Sequence, residues 1–333
     1  MFNEKSIFVS GATGSFGRMF IRALLARYQP RRLVVFSRDE LKQYEMQQEF
    51  TAPCMRWFLG DVRDADRLQQ AMRGVEYVVH AAALKHVPAA EYNPTEFIRT
   101  NVNGAENIIA AAIANGVKQV VALSTDKAAS PINLYGATKL MSDKLFVAAN
   151  NIAGDQQTRF AVVRYGNVAG SRGSIVPFFH KLIAEGAREL PITDARMTRF
   201  WITLEHGVDF VMQSFARMHG GEVFVPKIPS VRIVDLAEAL APGMPHRTIG
   251  IRPGEKLHEL MVPVDDARMT IEFDDHYTIM PSIRFNNVDT DFTLDATGEQ
   301  GRWVGDSFEY RSDTNPEFLS VTEIARLHAG LRS

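Results

Sequence analysis

The chain has 333 residues, enough for two unequal lobes, with 46% hydrophobic and 23% charged side chains, an ordinary globular composition. A formal net charge of −2 gives no support to a nucleic-acid or anionic-membrane partner, although local basic residues remain free to bind a small anion. Cys54 is the only cysteine, which excludes an intrachain disulfide and suits a reducing, cytoplasmic setting.

The opening stretch MFNEKSIFVSGATGSFG runs straight into a folded motif and lacks the apolar run and cleavage site of a signal peptide. No stretch approaches the roughly 20 apolar residues of a spanning helix. SIFVSG reads as a first buried strand, followed by a helix over 16–28. Between them Gly11, Gly14 and Gly17 are spaced G-x-x-G-x-x-G, one residue longer in the first gap than the dinucleotide fingerprint. Glycines let the chain approach a pyrophosphate, and the helix start adds N–H groups and a positive dipole end. Gly11, Thr13, Gly14, Ser15, Phe16 and Gly17 are therefore the candidate phosphate cradle.

RLVVFS is the second predicted strand, with a helix over 40–49 after it. Its end presents Ser37 and Arg38 where an NAD site would offer a carboxylate to the ribose. An arginine there accommodates a 2′-phosphate, so NADP is the expected cofactor, with Lys42 assisting. Asp39 and Glu40 flank the same position and fit a solvated helix start as well. RWFLGD is the third strand and leads to a helix over 65–72; Asp61, with Val62, is placed for adenine. YVVHAA is the fourth; Ala81 and Ala82 leave room beside a cofactor, and Lys85 reaches toward phosphate or substrate. His80 reads as a packed strand residue.

A helix over 95–115 precedes the fifth strand, QVVALS. Then comes STDKAASPINLYGATK, with Tyr135 and Lys139 at i and i+4 on one face of a helix over 135–149. Free tyrosine has a pKa of about 10, and a neighbouring ammonium favours the phenolate, which accepts a proton as hydride leaves carbon. The sixth strand, FAVVRYG, is followed by the glycine-rich NVAGSRGSIVPFF and a helix over 177–185. A helix over 204–218 and a strand EVFVP return to the sheet, and the C-terminal third mixes short elements with proline and glycine.

Strands alternating with helices predict an α/β protein with a Rossmann-type doubly wound parallel sheet and a smaller C-terminal substrate-binding lobe. The expected division is a cofactor domain over 1–170, with 200–225 returning to it, and a substrate lobe over 171–199 and 226–333. His residues are scattered without metal-ligand spacing, so no catalytic metal is expected.

The Tyr/Lys pair in this setting resembles the extended short-chain dehydrogenases/reductases over nearly the whole chain. TGSFG, FSRDELKQ, GDVRD, HAAALKHVP, STDKAASPINLYGATK, RYGNVAGSRGSIVPFF, MTRFW and IRPGEKLHE resemble, within that family, the inverting UDP-N-acetylglucosamine 4,6-dehydratases that open the pseudaminic acid pathway. The resemblance implies Tyr135 and Lys139 as the redox pair, Asp126 as acid toward C6, Lys127 as base at C5, and Thr125 as partner of the C4 oxygen. A lysine base must be neutral, so its pKa must fall; Lys139 and Lys85 are the expected sources of positive charge.

The resemblance further implies Arg252 near phosphate, Glu255 near the uridine ribose, Asn167 at the substrate and Val168 beside the nicotinamide. Lys85, Arg172 and Arg199 are further substrate candidates. The implied product is a UDP-2-acetamido-2,6-dideoxy-4-keto-hexose bound for flagellin or surface glycans, made by a homo-oligomer, dimer or hexamer. Two other functions compete. A nucleotide-sugar 4-epimerase would need Tyr135 and Lys139 but not the Asp126–Lys127 pair. A non-enzymatic NADP-binding protein would need neither pair.

Overall fold

The structure is a computed structural model that describes residues 1–154, 157–170, 174–283 and 290–330. The first half alternates strand and helix: β1 (Ser6–Ser10), α1 (Ser15–Arg27), β2 (Arg32–Ser37), α2 (Glu40–Glu49), β3 (Met55–Leu59), α3 (Ala65–Ala71) and β4 (Tyr77–His80). There follow α4 (Val87–Tyr92), α5 (Pro94–Phe97), α6 (Gly104–Ala114), β5 (Gln119–Leu123), α7 (Leu134–Ile152) and β6 (Arg159–Val163). The next elements are β7 (Asn167–Val168), α8 (Ile175–Ala184), β8 (Leu190–Ile192), β9 (Thr198–Ile202), α9 (Leu204–Arg217) and β10 (Val223–Pro226). Then come β11 (Ser230–Arg232), α10 (Ile233–Leu240), β12 (His246–Thr248), β13 (Leu260–Val262), β14 (Thr270–Glu272) and β15 (His276–Ile279). The chain closes with β16 (Arg302–Trp303), β17 (Tyr310–Arg311) and α11 (Val321–Gly330).

The main sheet runs β16-β14-β15-β10-β6-β5-β4-β1-β2-β3. From β3 across to β10 every neighbour is parallel. Strands β1 and β2 are apolar in continuous runs because helices cover both faces of such a sheet. The strand order reverses between β1 and β4, and ligands of doubly wound sheets bind at such a switch point. Helix α9 is drawn back onto this layer by Phe2, whose ring meets those of Tyr28, Tyr77 and Phe215 edge-on at 5.3, 5.4 and 5.5 Å.

One expectation is corrected. Residues 226–333 do not all leave the first layer: β15 pairs antiparallel with β10, and β14 and β16 extend the sheet beyond it. These strands have two to four residues each, too short for a periodic signal, and long-range pairing decides where they lie. The helix expected over 95–115 is present as a continuous run from Pro94 to Ala114, with a π-helical turn at Ile98–Asn103 between α5 and α6. That turn carries Asn101, whose side chain bonds the backbone N–H and C=O of Leu84 and the hydroxyl of Thr138. One wide turn thus ties the β4 loop to α7.

A second layer forms around β9, flanked by β7 and β11, over an apolar cluster that includes Val176, Trp201, Val231, Leu236 and Ile324. It stands against the C-terminal end of β6, beside the stretch that carries Tyr135. Among the described residues no helix is long and apolar enough to cross a membrane.

Candidate active site

Gly11 opens the turn after β1 at φ +64°, a conformation that glycine adopts freely. A Cβ there would stand 2.7 Å from the backbone nitrogen of Ala82, so the turn must lie bare against the end of β4. Gly14 has no side chain to cap α1, which leaves the N–H groups of the first turn for a ligand. One cleft of about 330 Å³ gathers Gly11, Thr13, Gly14, Ser37, Arg38, Asp39 and Lys42 with Asp61, Val62, Ala81 and Ala82. Ser15, Phe16 and Gly17 form the first turn of α1 behind it, where Phe16 stacks on Phe20 and Tyr165.

At the end of β2 the charges are already assigned. Asp39 caps α2 by accepting from the Lys42 N–H at 3.0 Å, and it also pairs with the Lys42 ammonium. Arg38 is largely exposed and rests 3.7 Å from Asp61, which Arg63 holds more closely at 2.7 Å. Glu40 points to solvent in the first turn of α2. The expected assistance of Lys42 is therefore shared with Asp39. His80 is buried against Ser10 Oγ at 2.8 Å; burial and then the Lys139 charge push it down to about 3, as suits a packed neutral ring.

The stretch after β5 forms a short 3₁₀ turn at Asp126–Ala128, then α7, which Asn133 caps by accepting from the Gly136 N–H at 2.7 Å. Gly136 permits this packing, because a Cβ at that position would fall 2.2 Å from the Lys127 carbonyl oxygen. Helix and turn therefore touch backbone to backbone, and Tyr135 stands beside Thr125 and Lys127. Burial pushes the Tyr135 phenol up to about 12, while the Lys127 charge and a hydrogen bond from Thr125 pull it back.

Lys139 was expected to be the cation acting on Tyr135; that part falls to Lys127. The Lys139 ammonium donates to the Leu123 carbonyl at 2.7 Å and faces the buried Asp143. Burial pushes Lys139 down and Asp143 opposes it. Asp143 is itself fixed by Ser124 at 2.8 Å and Arg164 at 3.4 Å.

Lys127 also differs from expectation. Its Nζ meets Asp126 Oδ1 at 3.0 Å, Glu259 Oε1 at 3.2 Å and Asn167 Oδ1 at 3.4 Å. Burial alone would lower its pKa, but Asp126 and then Glu259 outweigh that and raise it. Arg199 opposes them, and Lys85 and Lys127 repel each other as well, but neither cation outweighs the two carboxylates. Asp126 is fully buried and pushed upward, by burial first and by Glu259 against the pull of Lys127. Lys85 is lowered by desolvation and by the Lys127 charge.

The segment 252–259 clasps this turn. Asn133 donates to the Gly254 carbonyl at 2.8 Å and Lys256 to the Ala129 carbonyl at 2.6 Å. Arg252 is exposed and pairs with Glu255 at 2.9 Å, and the other Glu255 oxygen is buried without a partner. Arg199, expected at phosphate, is turned into the protein instead. Its guanidinium donates to the carbonyls of Thr198, Leu257 and Lys256, and Nε lies 3.6 Å from Glu259. A guanidinium engaged on every nitrogen positions this loop rather than a ligand. Val168 lies half-buried on β7, and Arg172 falls outside the described residues.

Sequence reasoning missed Glu259, Lys256, Asn133, Gly136 and Asp143. Glu259 ended the stretch IRPGEKLHE, but nothing local distinguishes it from a solvated charge. Asp143 had a faint signal, one helical turn beyond Lys139 on the same face. Among the described residues no cluster of His, Cys, Asp or Glu is placed to hold a metal ion.

Residues 7–281 match the profile of the polysaccharide biosynthesis protein family. The chain belongs to that family, among the extended short-chain dehydrogenases/reductases. It is 62% identical to the UDP-N-acetylglucosamine 4,6-dehydratase (inverting) of Campylobacter jejuni subsp. jejuni serotype O:2, over 98% of each chain. It is 42% identical to the UDP-glucose 4-epimerase of Rickettsia massiliae, over 84% of each chain. Among solved structures, Pen from Bacillus thuringiensis superposes with a TM-score of 0.89 at 34% identity, covering 100% of this chain and 99% of that one. As an extended short-chain dehydrogenase/reductase, the chain has its Rossmann sheet and its Tyr135/Lys139 pair in one layer, with the Asp126–Lys127 turn between them and the second layer.

Proposed function

We propose that this chain is a C5-inverting UDP-N-acetylglucosamine 4,6-dehydratase that uses NADP. The observation that carries the assignment is the Asp126–Lys127 pair standing against Tyr135: a redox hydroxyl and an acid–base pair act on one point. The 62% identical relative bears the same activity in its name.

The cleft fits a dinucleotide on its own chemistry. The bare turn at Gly11 leaves space where a side chain would collide, and the start of α1 offers uncapped N–H groups to a pyrophosphate. Arg38 favours the 2′-phosphate of NADP, because Asp39 is already engaged in capping α2 and pairing Lys42. Asp61 and Val62 line the adenine end, with Ala81 and Ala82 along the middle. When bound, the dinucleotide takes up the C4 hydrogen with its electron pair and returns it at C6.

Tyr135 accepts the proton of the C4 hydroxyl, and Thr125 hydrogen-bonds the same oxygen. Lys127 passes its ammonium proton to Asp126 across their 3.0 Å contact, and the neutral amine then removes the C5 proton that the new ketone has acidified. The C5–H electron pair forms the C5–C6 double bond as the C6–O bond breaks, and Asp126 gives its proton to the departing oxygen. A proton from solvent then returns to C5 on the opposite face, and Tyr135 releases to solvent the proton it took from O4. Two protons leave the sugar, from O4 and C5, and two are taken up, by the water and by C5, so the cycle balances.

Arg252 turns from Glu255 to the UDP pyrophosphate, Glu255 holds the ribose, and Asn167 and Lys85 border the sugar. Arg199 keeps the loop in place. We extend the assignment to a cofactor unit built on the main sheet and a nucleotide-sugar unit built around β9, to a cytoplasmic location, and to the first step of pseudaminic acid synthesis for flagellin or surface glycans. A homo-oligomer, dimer or hexamer, would cover the exposed Tyr92, Met141 and Ile152.

Incubation with UDP-N-acetylglucosamine and NADP tests the assignment. A product lighter by one water, with a C6 methyl signal by proton NMR, is expected. A C4 epimer of unchanged mass would favour the second function, to which the 42% identity with a UDP-glucose 4-epimerase lends weight.

A further inference from the structure

Glu259 takes no part in the chemistry derived so far, yet it borders that chemistry directly. Its side chain is 2% exposed, and it brings one oxygen within 3.2 Å of the Lys127 ammonium and 3.6 Å of Arg199 Nε. Its other oxygen is buried without a hydrogen-bond partner, as is the second oxygen of Asp126. Two buried carboxylates therefore share one ammonium, and each keeps an unpartnered oxygen. Leaving such groups unpaired is costly, and two like charges this close cannot both be comfortable.

The neighbours are unequal. Glu259 faces Lys127 from the 3₁₀ turn, Arg199 from β9 and Lys256 from its own loop. Asp126 has the shared Lys127 and the Thr125 hydroxyl, 2.9 Å away. Lys85 and Tyr135 complete the charged and titratable groups around Lys127.

We propose that Glu259 is the positioning residue of the acid–base step: with Arg199 it fixes the Lys127 side chain against Asp126, and by staying ionised itself it leaves Asp126 as the carboxyl that carries the transferable proton. The environments of two neighbouring carboxylates then divide their roles, one ionised and one acidic. Burial favours the neutral form of both, but the cations hold Glu259 down while Asp126 is driven up. The ionised Glu259 raises the proton affinity of Asp126 and of Lys127 alike.

The inference rests on the dehydratase assignment. The test is the pH profile of water loss for the native protein, Glu259→Gln and Glu259→Asp. Glu259→Gln removes one negative charge from both titrating partners, so both limbs of the profile move to lower pH, by about one unit or more. Glu259→Asp keeps the charge but draws it back from Nζ, and gives a smaller shift in the same direction. If Glu259→Gln fails to fold, by circular dichroism, the aspartate variant carries the test. A profile at its native position in a folded variant, with only kcat reduced, would assign Glu259 to packing and overturn the proposal. If the native protein itself releases no water, the dehydratase assignment fails instead, whatever Glu259 does.

Discussion

Lys127 Nζ stands 3.0 Å from Oδ1 of Asp126, its own neighbour in sequence. The base and the acid of the proposed elimination are thus in hydrogen-bond contact before substrate arrives, and a proton must pass from Lys127 to Asp126 before either can act. Lys127→Ala should still oxidise C4, seen as reduced-nicotinamide absorbance on mixing, but should stall before water is lost. Removing a positioned base typically lowers the rate about 10²–10⁴-fold. Near-native dehydration by a folded Lys127→Ala protein would take Lys127 out of the mechanism.

The same lysine governs the first step through Tyr135. The phenolate is the form that accepts the C4 hydroxyl proton, and burial has pushed the phenol up to about 12. Below that value each pH unit raises the phenolate fraction about tenfold. Oxidation in a single turnover should therefore speed up as pH rises. Lys127→Met removes the cation that pulls Tyr135 back, so its oxidation step should be slower at any fixed pH and its profile displaced upward. Tyr135→Phe should give no reduced nicotinamide at all; an unchanged burst in that variant would contradict the assigned role.

The proposed preference for NADP rests on Arg38. With Asp39 committed to the α2 cap and to Lys42, Arg38→Asp should weaken NADP binding by about ten- to a hundredfold, the worth of a charge-assisted hydrogen bond or two. NAD affinity should change less. Equal affinity of the native protein for the two dinucleotides, by titration calorimetry, would remove the argument.

Gly136 tests the geometry itself. A methyl group 2.2 Å from the Lys127 carbonyl must push α7 from the catalytic turn. Gly136→Ala should lose about 1–3 kcal/mol in urea unfolding, the usual cost of forced overpacking, and should lose turnover out of proportion to that. Native turnover would mean that the turn yields without moving Tyr135.

The path of the hydrogens is a separate check. In heavy water the product should gain deuterium at C5, while the hydrogen arriving at C6 should be the one that left C4. Solvent deuterium at C6, by proton NMR, would break the internal redox cycle.

Much of the fold was legible because it is written in local pattern. The apolar strands from SIFVSG to FAVVRYG cannot face water on either side, so they demand a covered parallel sheet. The turn at Gly11 and the i, i+4 spacing of Tyr135 and Lys139 are local as well, and spacing along a helix is enough to put two side chains on one face. The π turn at Ile98–Asn103 was not legible, since it is selected by where Asn101 must bond and not by helix propensity.

What the sequence by itself determined is therefore the Rossmann sheet and the glycine turn after β1, and it nominated the side chains proposed here to react. Their electrostatics were decided only by tertiary structure. Lys127 and Glu259 are separated by more than a third of the chain, yet they stand 3.2 Å apart. Arg199, a plausible phosphate ligand in sequence, is turned inward to hold the same loop. Charge interactions depend on distance through space and on how far water is excluded, and neither can be read from order along a chain. The sequence names the lysine; the packing of the segment 252–259 against the catalytic turn decides that it rests as a charged ion pair.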